Sequence, residues 1–479
     1  MADLTYADGA HLLRRAGFGG PPAEIESLAS LGRQGAVDRL IDYEQIDTGK
    51  MDRALKALLP LGRQGFLADY EQRWWFARMI TTPRPFEEKM TLFWHNHFAT
   101  SESKASFYTT MLYQILRLRQ YALGRFDDLL LAVAQDPAML TWLDGISNVA
   151  GRPNENFARE LQELFTMGTI DAVTGEPNYS EQDVKEIARA FTGWGIADTG
   201  RLGFNPKKPG RYQFLIRDEL HDSGSKTIYG RTANFSGEDV VGIIAARRST
   251  ARFLVKKLFT FFVYPLSDSA EDKSVIEKFA DVYMSNDHSI RELVRAIFSS
   301  DEFFSDRARL ALVKSPAELI AGALRILGVD YRDDGALLLQ RPMYYASWAM
   351  GMTLFQPPDV SGWKLNIGWI NTATLLARYN FANTLITNRT QSPPEYGPAV
   401  SNDTLKLYTK ATAQDTVASF LNLLGPISVD SDTMDRLTRY LETDAGGGPS
   451  PFVNDDATID RKIRGLVHQI MCLPQFQLN

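Results

Sequence analysis

Apolar residues recur along this chain at intervals of three and four, the spacing of helices that bury one stripe. Leu12, Leu13 and Ala16, then Ile25 and Leu28, then Ala36, Leu40 and Ile41 predict short N-terminal helices, with Gly17, Gly19, Gly20 and Pro21-Pro22 as punctuation. A longer helix is expected over residues 64–80 and another after Pro85. A third is expected over residues 103–122, with Tyr108, Met111, Leu112, Ile115 and Leu116 on its inner side. The next opens at Pro153-Asn154 and closes at Gly168. At Ser180, Asp183 three residues on completes a capping box. The helix that follows carries the stripe Val184, Ile187, Ala188 and Phe191 and stops near Gly193. Helical spacing resumes at about residue 237 and runs to about 328.

Between these stretches the period is lost. Residues 196–236 are rich in glycine and proline, and Tyr212-Gln213-Phe214-Leu215-Ile216 has the composition of a strand. The expectation is a loop carrying one β-hairpin, its second strand near Lys226–Tyr229. Residues 353–371 form a Gly, Pro and Trp-rich connection, 390–402 a linker, and 444–456 a loop before the last helix. The fold class that follows is mainly α: a large multi-helix globular fold with a small β-hairpin insertion near 196–236. Residues 1–390 are expected to form the main helical domain, and 391–479 a C-terminal helical segment packed on it.

Composition narrows the function classes. Of 479 residues, 44% are apolar and 23% charged, enough apolar chain for a substantial core. The net charge of -6 provides no basic footprint, so nucleic acid is not an expected partner. No apolar run of the length that spans a bilayer occurs, and none of the hallmarks of a secretory leader open the chain. The expectation is a cytoplasmic protein as given, or an exported one whose leader has been removed. Cys472 is the sole cysteine, which excludes an intrachain disulfide, and it reads as a packed small hydrophobe. Neither a Gly-x-Gly-x-x-Gly nor a Walker sequence is present.

The chemistry-bearing residues gather in three places. Two of the six histidines stand in Trp94-His95-Asn96-His97-Phe98. On a helix, i and i+2 point about 200° apart, which would put His97 on the buried face and His95 beside Glu88 and Thr91. An extended His-x-His would instead bring both rings to one side. In Asn154-Glu155-Asn156-Phe157-Ala158-Arg159-Glu160-Leu161-Gln162-Glu163, Glu160 and Glu163 share one stripe with Asn156, a spacing that suits metal ligation or divided acid and base roles. The bland alternative is a solvated face with salt bridges to Arg159 or Arg152, and Asn154 as an N-cap. His221-Asp222, beside a glycine turn, would complete a metal shell or form an ordinary Asx turn. His11, His288 and His468 lie in ordinary helical surroundings. Trp194, Trp363 and Trp369 in the connections read as pins that hold loops to the core.

Taken in order, the motifs are His11-Leu12-Leu13-Arg14-Arg15-Ala16-Gly17-Phe18-Gly19, Phe93-Trp94-His95-Asn96-His97-Phe98, the asparagine-glutamate run from Asn154, and Glu163-Leu164-Phe165-Thr166-Met167-Gly168. There follow Tyr179-Ser180-Glu181-Gln182-Asp183-Val184, Ala188-Arg189-Ala190-Phe191-Thr192-Gly193-Trp194, His221-Asp222 and Pro357-Pro358-Asp359-Val360-Ser361-Gly362-Trp363. From about residue 8 to 475 this succession resembles the bacterial domain-of-unknown-function 1800 family. Met167 departs from the leucine usual there. The resemblance implies no reaction, and many members resemble exported proteins with a leader.

The residue types suit a non-thiolate metal site. On the first hypothesis the protein is a metal-dependent enzyme, hydrolytic in preference to oxidative, acting on an unidentified substrate. His95, His97, Glu160 and His221 would hold a divalent zinc, manganese or iron ion, with Glu163 or Asp222 as general base. Asn96, Asn154, Asn156 and Arg159 would support them. On the second, the same residues form a structural polar network in a non-catalytic binding or assembly protein, and the long loops serve a protein or glycan partner.

Overall fold

A computed structural model describes residues 4–57, 70–105, 108–201, 205, 207–328, 341–387 and 400–479. Helices run from Tyr6 to Met471, and the only strands among the described residues form two short antiparallel pairs. The capping box at Ser180 is formed, with Ser180 accepting from the Asp183 amide and Asp183 returning to the Ser180 amide. The helix it starts runs Glu181–Ala190. The helix expected over 64–80 is described from Tyr70 to Thr81, and residues 64–69 of that expectation lie outside the described residues. So do the boundary at residue 390 and most of the linker expected there.

The helix Pro85–His97 sits at the centre. Proline at its first position and Glu87 and Glu88 in its first turn favour its start. Twelve of its residues are buried, on every face, because the helices Gly32–Ile41, Tyr70–Thr81 and Tyr108–Tyr121 all pack against it. Its polar side chains therefore need partners inside the protein. Glu88 accepts from Trp75 Nε1 at 2.9 Å, from Arg119 at 2.9 and 2.8 Å, and from Arg78. Burial raises the Glu88 carboxyl, but Arg119 and Arg78 outweigh it and hold the group down at about 2. Lys89 donates to the Gly17 carbonyl at 3.0 Å and pairs with buried Glu318.

Two expectations are corrected. The insertion holds two hairpins, and the strands Tyr212–Ile216 and Lys226–Ile228 do not pair with one another. β1 (Trp194–Asp198) pairs with β2 (Tyr212–Ile216), and β3 (Lys226–Ile228) with β4 (Arg231–Ala233). β1 follows directly on a helix terminus and reads as its stop. β4 is exposed along its length and lacks an alternating apolar face. The β3–β4 turn places Tyr229 and Gly230 at φ 47° and 75°, as a two-residue type I′ connection requires. The Tyr229 amide is held by Asp183 at 2.7 Å. The second correction is that regular helix from Glu155 ends at Glu163 rather than Gly168. Tighter turns follow, and Gly168, at φ 73°, turns its amide back to the Gln162 carbonyl at 3.0 Å.

Near the C-terminus the helix Arg464–Met471 packs on Thr372–Thr387. Arg464 donates to the carbonyls of Ile386 and Val400, and Arg378 to that of Lys314.

Glu88→Gln leaves two buried guanidiniums short of a counter-charge, and urea denaturation should show a loss of about 3–5 kcal/mol. Asp301→Asn breaks an ion pair with Arg33 whose carboxylate is 94% exposed, and should leave the urea midpoint essentially unchanged.

Candidate functional site

The end of the Pro85–His97 helix carries three consecutive polar side chains, each directed to a different backbone segment. His95 is fully buried, with Trp75, Phe355 and Trp363 ring centroids 5.3–5.5 Å from its own. Its Nε2 accepts the Phe355 amide at 3.0 Å, so the neutral ring carries its proton on Nδ1. Phe355 itself stands at φ 66°, a strained conformation for a bulky residue, and its carbonyl accepts from the Glu102 amide at 2.9 Å. Asn96 accepts the Trp363 amide at 2.7 Å. Gly362 passes so close that a Cβ there would lie 2.4 Å from Asn96 oxygens, and its φ is 81°. The motif ending Ser361-Gly362-Trp363 is thus fitted to the motif containing His95 and Asn96.

His97 faces elsewhere. Its Nε2 donates to the Phe165 carbonyl at 2.9 Å, and its ring stacks on Phe93. This secures the turns that follow the Glu155–Glu163 helix. The helix is intact through His97, which sends the two imidazoles to different segments; the extended arrangement with both rings on one side is not adopted. Burial lowers both imidazoles to about 3; for His97 the Lys257 ammonium adds to this and the Phe165 carbonyl opposes it.

Glu160 and Glu163 do share a stripe. The Glu160 carboxyl is raised by burial and by the Glu163 charge, with Arg159 opposing. Tyr179 donates to Glu163 at 3.4 Å. Arg159 turns outward to Glu181 and Glu155, whereas the solvated-face alternative places its ion pairs at Glu160 and Glu163. Asn154 caps the helix by accepting from the Asn156 amide, and its own amide nitrogens reach Asp144 and Ser147. Asn156 donates to the Leu143 carbonyl at 3.3 Å.

His221 and Asp222 form a third fastening. His221 Nδ1 donates to the Thr192 carbonyl at 2.8 Å, and the Asp222 amide to Thr192 Oγ1 at 2.7 Å. The Arg189 fork on both Asp222 oxygens holds that carboxyl down at about 2, against the pull of burial. Gly193 lies between: a Cβ would fall 2.6 Å from the Arg217 carbonyl. Here the motif Arg189–Trp194 is fitted to His221-Asp222.

Sequence reasoning therefore singled out residues that the structure joins differently. Among the described residues no group of three or more His, Cys, Asp or Glu is arranged to hold a metal ion. The expected ligand set His95, His97, Glu160 and His221 is not brought together as one, and the imidazoles of His95 and His97 each spend one nitrogen on backbone. Asp222, expected as a base, is an ion-paired carboxylate. Sequence reasoning missed Glu88, Arg78, Arg119, Phe355 and Thr192. Glu88 alone had a signal, as a carboxylate one turn before Thr91 and two before His95.

The family described as "Protein of unknown function (DUF1800)" matches the chain over residues 11–478. No curated protein and no solved structure matches it.

The buried imidazoles dictate an acid-labile fold. Their folded-state values lie below the ordinary 6.5, so between about pH 6.5 and 3 the unfolded chain binds protons that the folded chain refuses. Stability should be level above about pH 6.5 and fall below it, by about 2 kcal/mol per imidazole at pH 5. Urea midpoints at pH 7.5 and 5 measure this, and His95→Gln should show a smaller drop between the two.

Proposed function

We propose, for a chain that belongs to the DUF1800 family over nearly its whole length, a non-catalytic binding and assembly role in which the motif residues fasten the scaffold. The observation that carries this reading is the pairing of motif with motif through backbone groups. His95 and Asn96 hold Phe355 and Trp363, His97 holds Phe165, and His221 holds Thr192. A catalytic imidazole needs a titration range near neutrality and a path to substrate. His95 and His97 have neither, being buried and lowered to about 3. Their chemistry is that of neutral hydrogen-bonding groups in an aromatic core. A buried polar network of this kind specifies one packing of several segments and requires no substrate, although the second ring nitrogen of His95 and of His97 is buried with no hydrogen-bond partner.

A second reading, metal-dependent hydrolysis with zinc, manganese or iron, is favoured by one observation. The Glu160 carboxyl is half-buried, raised and beside a second carboxylate, the arrangement that divides acid from base. That reading draws on the Glu160–Glu163 pair and leaves His95, His97 and His221 aside, since among the described residues no third His, Cys, Asp or Glu joins the pair.

Elemental analysis of protein purified without a histidine tag separates the two. The structural reading expects no stoichiometric zinc, manganese or iron. It also expects His97→Ala to lose about 2–4 kcal/mol of stability through its cavity and the unpaired Phe165 carbonyl, seen by urea denaturation. Stoichiometric metal that disappears in Glu160→Gln while the fold persists would overturn it.

A further inference from the structure

The insertion that interrupts the helical pattern carries a strand with one edge unused. The Arg217 amide donates to the Gly193 carbonyl at 2.8 Å and the Thr199 amide to the Arg211 carbonyl at 2.9 Å, which frames the β1–β2 register. In an antiparallel ladder, hydrogen-bonded pairs alternate with pairs that exchange no bond. The bonded pairs between these two are therefore Gly195–Leu215 and Ala197–Gln213. Ile196–Phe214 and Trp194–Ile216 are the others, so Phe214 and Ile216 turn their N–H and C=O groups away from β1. Among the described residues no group hydrogen-bonds to the outward backbone of either. We infer that this edge pairs antiparallel with the same edge of a second copy of the chain, joining two β1–β2 ribbons into one four-stranded sheet. The inference rests on the assembly reading and names its partner; the histidine motifs take no part in it.

The edge has space beside it. An open cleft of about 360 Å³ adjoins Tyr212, Gln213 and Phe214, and Ile216, at the end of the strand, is 45% exposed. β1 lies against the helix Pro137–Trp142 and the turn Gly145–Ser147, which leaves β2 as the strand on which the ribbon can grow. The ribbon is held in shape before a partner arrives. Arg211 forks onto Asp198 at 2.8 and 2.7 Å, which ties the start of β2 to the end of β1. Phe214 is braced edge-on against buried Trp194, with centroids 4.9 Å apart. A preformed edge spares the partner the cost of ordering it, and an exposed edge is a template for strand addition.

Charge decides which strand is added. Tyr212-Gln213-Phe214-Leu215-Ile216 holds neither a charge nor a proline, the usual protections of an edge. Its flanks are charged, and oppositely. Lys207 and Lys208 stand before it and Asp218 and Glu219 after it, all four exposed and, among the described residues, without an ion-pair partner. Antiparallel pairing of two β2 strands sets the basic end of each beside the acidic end of the other. One two-fold axis satisfies both ends at once, the arrangement of an isologous dimer. A parallel pair would set like charge beside like. An acidic peptide would meet Asp218 and Glu219, and a basic one Lys207 and Lys208, so a strand of uniform charge is opposed at one end. The strand that suits both ends is this one, reversed.

Sedimentation velocity of the full chain over a range of concentrations tests this. A reversible dimer is expected, weakened by added salt because the flanking charges are exposed. Ile216→Pro removes an N–H that β1 does not use, so circular dichroism should be unchanged while dimerisation weakens by at least about tenfold. The double variant Lys207→Glu, Lys208→Glu sets like charge against like at both ends and should weaken dimerisation by about tenfold, as should Asp218→Lys, Glu219→Lys. An equimolar mixture of the two double variants should form a mixed dimer as readily as the unaltered chain, because every end again meets its opposite. A chain monomeric at all concentrations, a dimer indifferent to these substitutions, or a mixture that fails to associate would overturn the proposal. The charge variants lie on the surface and decide the matter even where Ile216→Pro disturbs the ribbon. None of those results bears on metal content or on the stability of His97→Ala, so this inference and the structural reading fail separately.

Discussion

A polar group taken out of water must be met by another, and in this protein that requirement falls hardest on the helix Pro85–His97. Helices surround it, and it carries Glu88, Lys89, His95 and His97 into the interior. Each is answered from a different part of the chain: Glu88 from Trp75, Arg78 and Arg119, Lys89 from Gly17 and Glu318, His95 from Phe355, His97 from Phe165. Removing any one answer leaves an unmatched donor, acceptor or charge inside a low-dielectric core. The helix therefore determines where at least four remote segments lie, through polar contacts that apolar packing alone would leave free to slide.

The places where backbone approaches backbone show how tight this determination is. Gly362 and Gly193 stand at positive φ with no room for a side chain, each against a motif partner. Phe355 accepts positive φ without being glycine, at a cost of order 1 kcal/mol or more. Its amide bond to His95, its carbonyl bond to Glu102 and its ring against Trp75 over-determine that conformation. Strain of this kind often marks chemistry. Here it marks the point at which a long connection is drawn into the core.

Much of this was legible in the sequence, for particular reasons. The helical spacing and the Ser180–Asp183 capping box are local signals and were read correctly. The motif residues themselves were picked out, because histidines, asparagines and glycines in apolar surroundings are conspicuous. Their connections were not legible. The helix around His95 is buried all round, so its periodicity carries no information about which neighbour each face meets. A histidine whose partner is a backbone amide 260 residues away leaves no trace of that partner in its own neighbourhood. The strand pairing was missed for a related reason, since β1 is hidden in a helix terminus and β4 is wholly exposed. Glu160 and Glu163, three apart on one helix, were placed together correctly because local geometry suffices.

The contrast between buried fastenings and solvent-facing polar groups follows from the same physics. Groups as deeply buried as His95 and His97 cannot titrate near neutrality or meet a solute, whatever their intrinsic reactivity. Elsewhere, polar groups keep access to water while their positions stay fixed. Beside β2, polar groups are fixed in this way at the rim of an open cleft: Arg117 is anchored to Ala132 and Tyr113 to Asn205. A rigid core raising an arm off one helix is a means of fixing such groups without burying them. The arm in turn depends on the core, because β1 begins at Trp194, directly after the Thr192-Gly193 turn that His221 and Asp222 secure. Loosening that fastening would disturb the strand pair, although His221 itself lies outside both strands.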